Sequence, residues 1–384
     1  MSGIEGLSRR AVGIGLVGML ATAMSALVAR EHFWPSYLFA YLFWLGLSIG
    51  SGGVVMLHHL TGGRWGFAIR RLLEAGARTT LLMAVLFIPI FFGLSHLYEW
   101  THAEVVAADE VLRQKSRYLN VPFFSLRAAL YFAVWIGLAY GLTRWSYEQD
   151  RTADPRLSVR LRALSGPGLV LYGGTITFAA VDWVMSLEPH WYSTIYGIAF
   201  ILGYALTAFA AAILVVAWLS RSGPLVEIAT RETFHDLGNL LLAFVMLWAY
   251  VAFSQFLIIW SGNLPEEIPW YLRRTRGAWE AVAVSLIVFH FAIPFLLLLS
   301  RAVKRDVRAL ATIAGVILIM RVVDLYWTVM PAFAERGIGV HWSNAAAFLG
   351  IGGLWVAFWA REVGRHELVP VRDPRWMEVK AAHG

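Results

Sequence analysis

Cysteine is absent from this sequence of 384 residues. Without a thiol the chain can form no disulfide, no thiolate zinc site and no cysteine-held iron–sulfur cluster, so any such centre would belong to a neighbouring protein. Charged residues are also scarce, at 15% of the chain, and the connections between its apolar runs are too short to form a soluble catalytic domain. Such a composition lies outside the range of soluble globular domains.

Apolar residues dominate instead: 59% of the chain is hydrophobic, 18 residues are Trp, and the mean hydropathy is +0.62. A helix needs roughly 20 apolar residues to cross a bilayer, whereas a membrane β-barrel would show short alternating segments. No alternating segments are present. The sequence therefore predicts an all-α polytopic membrane protein with about ten transmembrane helices, near 11–29, 36–57, 79–97, 123–143, 168–187, 195–219, 237–260, 279–299, 309–330 and 343–360.

The distribution of Lys and Arg predicts the orientation of these helices. Most of the 32 basic residues fall in the N-terminal segment, the even-numbered connections and the C-terminal segment. By the positive-inside rule both termini are then cytoplasmic. This basic rim accounts for the formal charge of +7 and requires no nucleic acid as a partner. The first apolar run follows Arg9 and Arg10 and is either a cleaved signal peptide or a retained transmembrane helix. Its length favours the retained helix.

Two segments of the chain repeat a pattern. AAVDWVMSLEP (179–189) and RVVDLYWTVMP (321–331) each place Asp after Val and Pro seven residues after the Asp, and the entrances HFWPS (32–36) and PHWYS (189–193) are also similar. Each pair lies four helices apart, which predicts a parallel repeat unless the match is chance. We expect a peripheral helix in 1–30, four-helix bundles in 31–190 and 191–335, and a last helix with a cytoplasmic tail in 336–384.

Small residues on the second helix predict close packing. Gly46 and Gly50 form a GxxxG pattern, which lets another helix approach closely.

Ionisable residues at membrane depth are the candidate site residues. Each costs roughly 2.5–3.5 kcal/mol on insertion scales, so it is expected to face the bundle interior and a partner. In the outer half, His96, Arg127 and Asp182 are expected to converge in the first bundle. The second bundle offers Gln255, Glu280, Arg321 and Asp324. The spacing of Arg321 and Asp324 places them on one helical face.

These outer groups allow two interpretations. They are either buried ion pairs that hold neighbouring helices together, or a protonatable relay or polar pocket for a quinone headgroup. A second set lies near the inner helix ends: His58, His59, Glu74, Arg78, His235 and Asp236. Its members either feed protons from the cytoplasm or are ordinary interfacial residues.

Histidine positions also bear on haem. His290 is central in the eighth helix and is the deepest histidine, which makes it the better relay candidate. Two helical histidines at matched depth would predict a membrane cytochrome b. His58 and His59 are inner whereas His96 and His102 are outer, so no haem or other cofactor is expected in this chain.

Three segments resemble a known family: SYLFAYLFWLGLSIGSGG from Ser36, LHHLTGGRWGFAIRR from Leu57, and SGPGLVLYGGTITFAAVDWVMSLEPHWYSTIYG from Ser165. They are similar to the ActF-type NrfD-like (polysulfide-reductase-C-like) integral membrane subunit of bacterial alternative complex III. The likeness runs through most of residues 30–260, and the last hundred residues are less distinctive.

The resemblance implies a cofactor-free subunit of a respiratory or photosynthetic quinol:electron-acceptor oxidoreductase in the bacterial inner membrane. It implies as partners a homologous quinol-binding membrane subunit, an iron–sulfur protein and c-type cytochromes, which carry the clusters and haems, besides lipids. Menaquinol or ubiquinol is then the substrate of the complex, and this chain is not itself its redox-catalytic subunit. The family's suspected proton-path residues match Asp182, His58 and His59.

Four functions stay open on the sequence. The first is a proton-translocation path beside a quinol-oxidising neighbour. The second is direct quinol binding in the outer polar layer, with His96 or Asp182 accepting protons. The third is a structural membrane anchor for the complex. The fourth is a solute permease, which is expected to show broken helices and a midplane cavity. The sequence has few prolines inside its predicted helices, which argues against broken helices; Pro89 and Pro294 are the exceptions.

Overall fold

The computed structural model describes residues 2–220, 225, 226, 228–334, 337–370 and 372–374. Within these ranges the chain forms helices and no strand, and ten helices are long and apolar enough to cross a membrane. The predicted all-α polytopic architecture is confirmed. The ten spanning helices are α1 (Gly3–Val28), α2 (Arg30–Thr61), α3 (Arg64–Phe92), α4 (Val121–Thr152), α5 (Pro155–Leu187), α6 (Tyr196–Leu219), α7 (Arg231–Gly262), α8 (Ala278–Leu299), α9 (Val307–Ala332) and α10 (Trp342–Val363).

Several helices extend well beyond their apolar runs. The predicted connection at 144–167 is wrong, because α4 and α5 continue through it and meet at Ala153 and Asp154. The side chain of Asn120 accepts from the Phe123 amide at the start of α4, and that of Asp154 accepts from the Arg156 amide at the start of α5. These N-caps fix the helix starts in the polar layer, where hydropathy gives no signal.

Short helices lie between the spanning ones. Two of them, Ala103–Ala108 and Glu110–Lys115, follow α3 in the chain, and the Asp109 side chain caps the second. The remaining short helices are Leu94–Leu97, Glu99–Thr101, Ile268–Arg274 and Arg301–Arg305. We call the side where α1 begins the N-terminal face and the other side the opposite face.

Helix α2 is the centre of the molecule. It contacts α3, α5, α6, α9 and α10, and most of its side chains are buried. Gly46 and Gly50 meet α6 at Tyr204, where a Cβ on Gly50 would lie 2.0 Å from the Tyr204 carbonyl oxygen. The packing interpretation of this GxxxG pattern is confirmed, since a larger residue would separate the two helices.

Helices α1 and α10 pack against each other through glycines. A Cβ on Gly18 would lie 2.4 Å from the Gly350 amide nitrogen, and a Cβ on Gly353 would lie 2.3 Å from that of Gly15. Helix α10 also packs on α2, where the Trp355 indole donates to Ser48 at 2.8 Å. Most of the α1 surface is exposed. The division of the chain into a parallel repeat of two bundles stays a prediction.

Replacing Gly18 by Leu should weaken the contact between α1 and α10. Overpacking a closely fitted interface costs about 1–3 kcal/mol, so we expect a lower thermal midpoint of the purified protein in detergent. Gly13→Leu on the same helix is the matched control, because no other part of the described chain lies within 4 Å of a Cβ there. Equal midpoints for the two variants would contradict the glycine contact.

The cap at Asp109 should make one surface helix sensitive to acid. Hydrogen bonds from the Leu112 amide and the His190 ring hold the pKa of Asp109 below its usual value. Such a carboxylate stabilises the fold above its unfolded pKa of about 3.9, and this stabilisation is lost as the pH falls through the lowered pKa. We therefore expect hydrogen-exchange protection at Val111 and Leu112 to decrease in that acid range. In Asp109→Asn, which keeps an acceptor but cannot ionise, the decrease should disappear; a decrease of the same size there would refute this origin.

Candidate functional site: buried ionisable groups between the helices

Arg127 of α4 and Asp182 of α5 form a two-pronged ion pair. The Arg127 Nε and Nη2 groups donate to the two carboxylate oxygens of Asp182, each at 2.8 Å. The hydroxyl of Tyr131 donates to the same carboxylate at 2.7 Å. Asp182 is fully buried. The expected pairing of Arg127 with Asp182 is present, and the carboxylate has three donors in an interior without bulk water.

The remaining surfaces of Arg127 are also occupied. Its Nη1 donates to the Tyr118 carbonyl at 3.0 Å, and its guanidinium lies over the rings of Tyr118 and Phe123, 3.8 and 4.3 Å from their centroids. Tyr118 lies just before α4, so the connection at the opposite face closes over the pair. Such complete engagement is typical of an ion pair that holds helices together.

His96 does not join this pair, and its expected convergence with Arg127 and Asp182 is wrong. Helix α3 ends at Phe92, and the following short helix Leu94–Leu97 leaves His96 exposed, with its ring 5.6 Å from that of Trp34. An apolar run that continues past the helix end cannot reveal this change of direction.

Arg321 and Asp324 form the second ion pair, between α6, α7 and α9. Arg321 Nη1 donates to Asp324, and its Nε lies 3.3 Å from the Thr207 hydroxyl. The Trp248 side chain also interacts with Asp324. Gly203 makes room for the guanidinium, because a Cβ there would lie 2.2 Å from Arg321 Nη2. As expected from their spacing, Arg321 and Asp324 share one helical face.

His290 lies beside this second pair. It is fully buried, its ring centroid lies 3.9 Å from that of Trp248, and neither ring nitrogen has a hydrogen-bond partner among the residues described. Around it α8 widens into a π-helix from Leu286 to Ala292. Pro294 supplies the reason: it has no N–H to donate to the His290 carbonyl, and its ring would clash with that carbonyl in a regular α-helix.

The two other polar residues proposed for this bundle lie elsewhere. The Gln255 side chain bonds to the hydroxyls of Ser193 and Tyr271. Glu280 is exposed in the first turn of α8. Neither belongs to the Arg321–Asp324 pair.

Glu74 is the centre of a buried network near the N-terminal face. It accepts from Arg70 at 2.9 Å, from the Ser146 hydroxyl at 2.5 Å, and from Arg71. Arg70 also bonds to Asp373 at 2.6 Å, beyond the end of α10. We call these residues, together with Asp150, which pairs with Arg71, the Glu74 network. It joins α3, α4 and the segment after α10.

Sequence reasoning found only Glu74 in this network. Arg70 and Arg71 lie four and three residues before Glu74. This spacing is typical of ion pairs within a helix, so it could have predicted both arginines as partners of Glu74. No local pattern points to Asp373, because its partner lies 303 positions away.

The other inner candidates make contacts of their own. Arg78 pairs with Glu362 of α10 at 2.6 Å. His58 and His59 are buried at the end of α2, where the His58 ring packs against Trp65. His235 and Asp236 lie partly exposed in the second turn of α7, with 3.8 Å between His235 Nδ1 and Asp236 Oδ1.

In the part of the chain that the structure describes, no three His, Asp or Glu side chains are grouped so that they could hold a metal ion. Two cavities between α2, α4 and α5 each have room for about one water molecule. A quinone ring or a transported solute requires a pocket of several hundred Å³, so these cavities support neither a quinol site nor a permease pathway.

No protein-family model matches this sequence, and no curated protein is significantly similar to it. The relation to the NrfD-like subunits of alternative complex III therefore stays a proposal.

Removing one partner of the Arg127–Asp182 pair should destabilise the protein strongly. Arg127→Met leaves Asp182 buried without its main partner, which costs about 3–5 kcal/mol in comparable buried pairs. The control is an apolar triple variant, Arg127→Met, Tyr131→Phe and Asp182→Leu, which leaves none of the three polar groups behind. We expect the thermal midpoint in detergent to fall far more in the single variant. A larger fall in the triple variant would show that the pair itself supplies net stability.

Proposed function

We propose that this chain is an integral membrane subunit of a quinol-oxidising electron-transfer complex of the alternative complex III type, and that its interior conducts protons. The observation behind the proposal is that ionisable groups with little or no exposure occupy three levels of the helical bundle. The Glu74 network lies near the N-terminal face, His290 lies mid-helix, and Asp182 and the slightly exposed Asp324 lie near the opposite face. Ionisable residues placed through the depth of a membrane bundle are typical of proton relays.

The two groups of ionisable residues, His290 with Asp324 and Asp182 with Arg127, differ in how readily they take up a proton. His290 has two ring nitrogens without hydrogen-bond partners in the described structure, so it can accept a proton at one nitrogen and release one from the other. Trp248 contacts both His290 and Asp324, which places the carboxylate next along this line. Asp182 by contrast has three donors, and it takes up a proton only after Arg127 has moved away.

This arrangement leaves the redox chemistry to neighbouring subunits. A homologous NrfD-like membrane subunit binds menaquinol or ubiquinol in this proposal, and iron–sulfur and c-type cytochrome subunits carry the electrons. The absence of cysteine from the sequence agrees with such a division. The N-terminal face, with its excess of Lys and Arg, is then cytoplasmic in a bacterial inner membrane.

A structural anchor is the second candidate function, and the complete engagement of Arg127 favours it. If the ion pairs only fasten helices, they can be replaced by apolar residues without loss of function, because buried ion pairs often contribute little net stability. Anchor and relay therefore predict different results for the same variants.

Asp182→Asn and Asp324→Asn test the relay. Asn is nearly isosteric with Asp and keeps an acceptor, but it cannot take up a proton. In the complete complex, reconstituted in liposomes and supplied with quinol and acceptor, we expect fewer protons translocated per electron while quinol oxidation continues. Asp109→Asn is the matched control, since it makes the same substitution on the surface.

The apolar triple variant separates relay from anchor. The relay predicts an assembled complex with a reduced proton-to-electron ratio, whereas the anchor predicts an unchanged ratio. An unchanged ratio in the triple variant and in both Asn variants would refute proton conduction through this chain.

A further inference from the structure

The two interior cavities lie along one seam between α2, α4 and α5. The cavity nearer the N-terminal face, here the lower cavity, is lined by Gly52, Glu74, Leu138, Thr143 and Tyr172 among others. The upper cavity is lined on the same three helices by residues one turn further toward the opposite face, including Ile49, Trp135, Ile176 and Trp183. The steps from Gly52 to Ile49, from Leu138 to Trp135 and from Tyr172 to Ile176 show that the cavities follow one another.

The lower cavity is lined mainly by apolar residues, but it also meets three polar side chains, one of which is unsatisfied. Tyr172 is only 2% exposed, and its hydroxyl has no hydrogen-bond partner among the described residues. Leaving a buried hydroxyl unpaired costs about 1–3 kcal/mol. The cavity has room for about one water, and Thr143 and Glu74 supply further polar groups, which are the conditions for a resident water.

Gly52 keeps this space open. A Cβ at position 52 would lie 2.5 Å from the Tyr172 hydroxyl oxygen. Gly52 also lines the lower cavity, so the hydroxyl and the cavity share this wall. Any other residue would press on the hydroxyl and reduce the space for water.

The upper cavity leads toward the Arg127–Asp182 pair. Trp183, next to Asp182 in the chain, lines it, and the Trp183 indole N–H is buried and also lacks a partner within the described ranges. The residues that line the upper cavity include no carboxylate, whereas Glu74 lines the lower one, so water is held less firmly in the upper cavity.

We propose that the lower cavity binds a water and that the seam carries protons between the Glu74 network and Asp182, with the Tyr172 hydroxyl as the mid-membrane relay. The inference rests on the proposed function. A hydroxyl both accepts and donates: its oxygen takes a proton from the lower water, which receives one in turn from the side of the Glu74 network, while its own proton passes to a water in the upper cavity. One O–H bond forms as one breaks, so Tyr172 remains neutral.

Tyr172→Phe tests the seam, because it removes the hydroxyl and keeps the ring. Tyr41→Phe is the matched control, since Tyr41 is equally buried but its hydroxyl already donates to the Met83 carbonyl at 3.0 Å and lines neither cavity. In the reconstituted complex we expect Tyr172→Phe to lower the proton-to-electron ratio as much as Asp182→Asn does. Tyr41→Phe should leave it unchanged.

The two variants Asp182→Asn and Tyr172→Phe distinguish a wrong proton path from a wrong proposed function. A reduced ratio in Asp182→Asn with a normal ratio in Tyr172→Phe would overturn the seam alone. Normal ratios in both variants would overturn both proposals.

A labelling experiment on the unmodified protein tests the water site without any variant. X-ray radiolysis of the intact complex converts bound water into hydroxyl radicals that label adjacent side chains. We expect rapid labelling of Tyr172 and little labelling of Tyr41. Equal, slow labelling of both residues would overturn the water site.

Discussion

Bulk water is excluded from the interior of this helical bundle, so a polar group there has to be satisfied by another part of the protein or by a single trapped water. The constraint explains why Asp182 receives three donors and why Arg127 is covered by two aromatic rings and a carbonyl. It also explains the dense network around Glu74. Among the groups for which the constraint is not met in the described structure are the His290 ring and the Tyr172 hydroxyl, and there the structure departs from a purely structural optimum.

Close helix packing makes these arrangements possible. Lipid provides no hydrophobic force to press helices together, so association depends on fitted surfaces. Glycines provide that fit where Gly50 meets Tyr204, where Gly203 accommodates Arg321, and where Gly18 meets Gly350. The contact at Gly203 also positions the ion pair, because the Arg321 guanidinium occupies the space that Gly203 leaves while it bonds to Thr207 and Asp324.

The sequence predicted those features that arise from local composition. Ten spanning helices follow from apolar runs, and the pairing of Arg321 with Asp324 follows from their spacing on one helix. The position of Arg127 near Asp182 follows from equal depth. Helix ends were less predictable, since caps such as Asn120 and Asp154 act in the polar layer where hydropathy is uninformative. The exposure of His96, the π-turn at His290 and the contact of Arg70 with Asp373 depend on tertiary structure and have no local signature.

The contact between Arg70 and Asp373 has a consequence for biosynthesis. Membrane helices enter the bilayer in chain order during translation, and 303 positions separate these two residues. In the nascent protein Arg70 therefore lacks its bond to Asp373 until the tenth helix has been inserted and the segment that follows this helix has folded back. The bond from Arg70 to Asp373 therefore forms after the rest of the network, in which Glu74 and Asp150 already balance the two arginines, so a chain that ends before the tenth helix would lack only this contact of the Glu74 network.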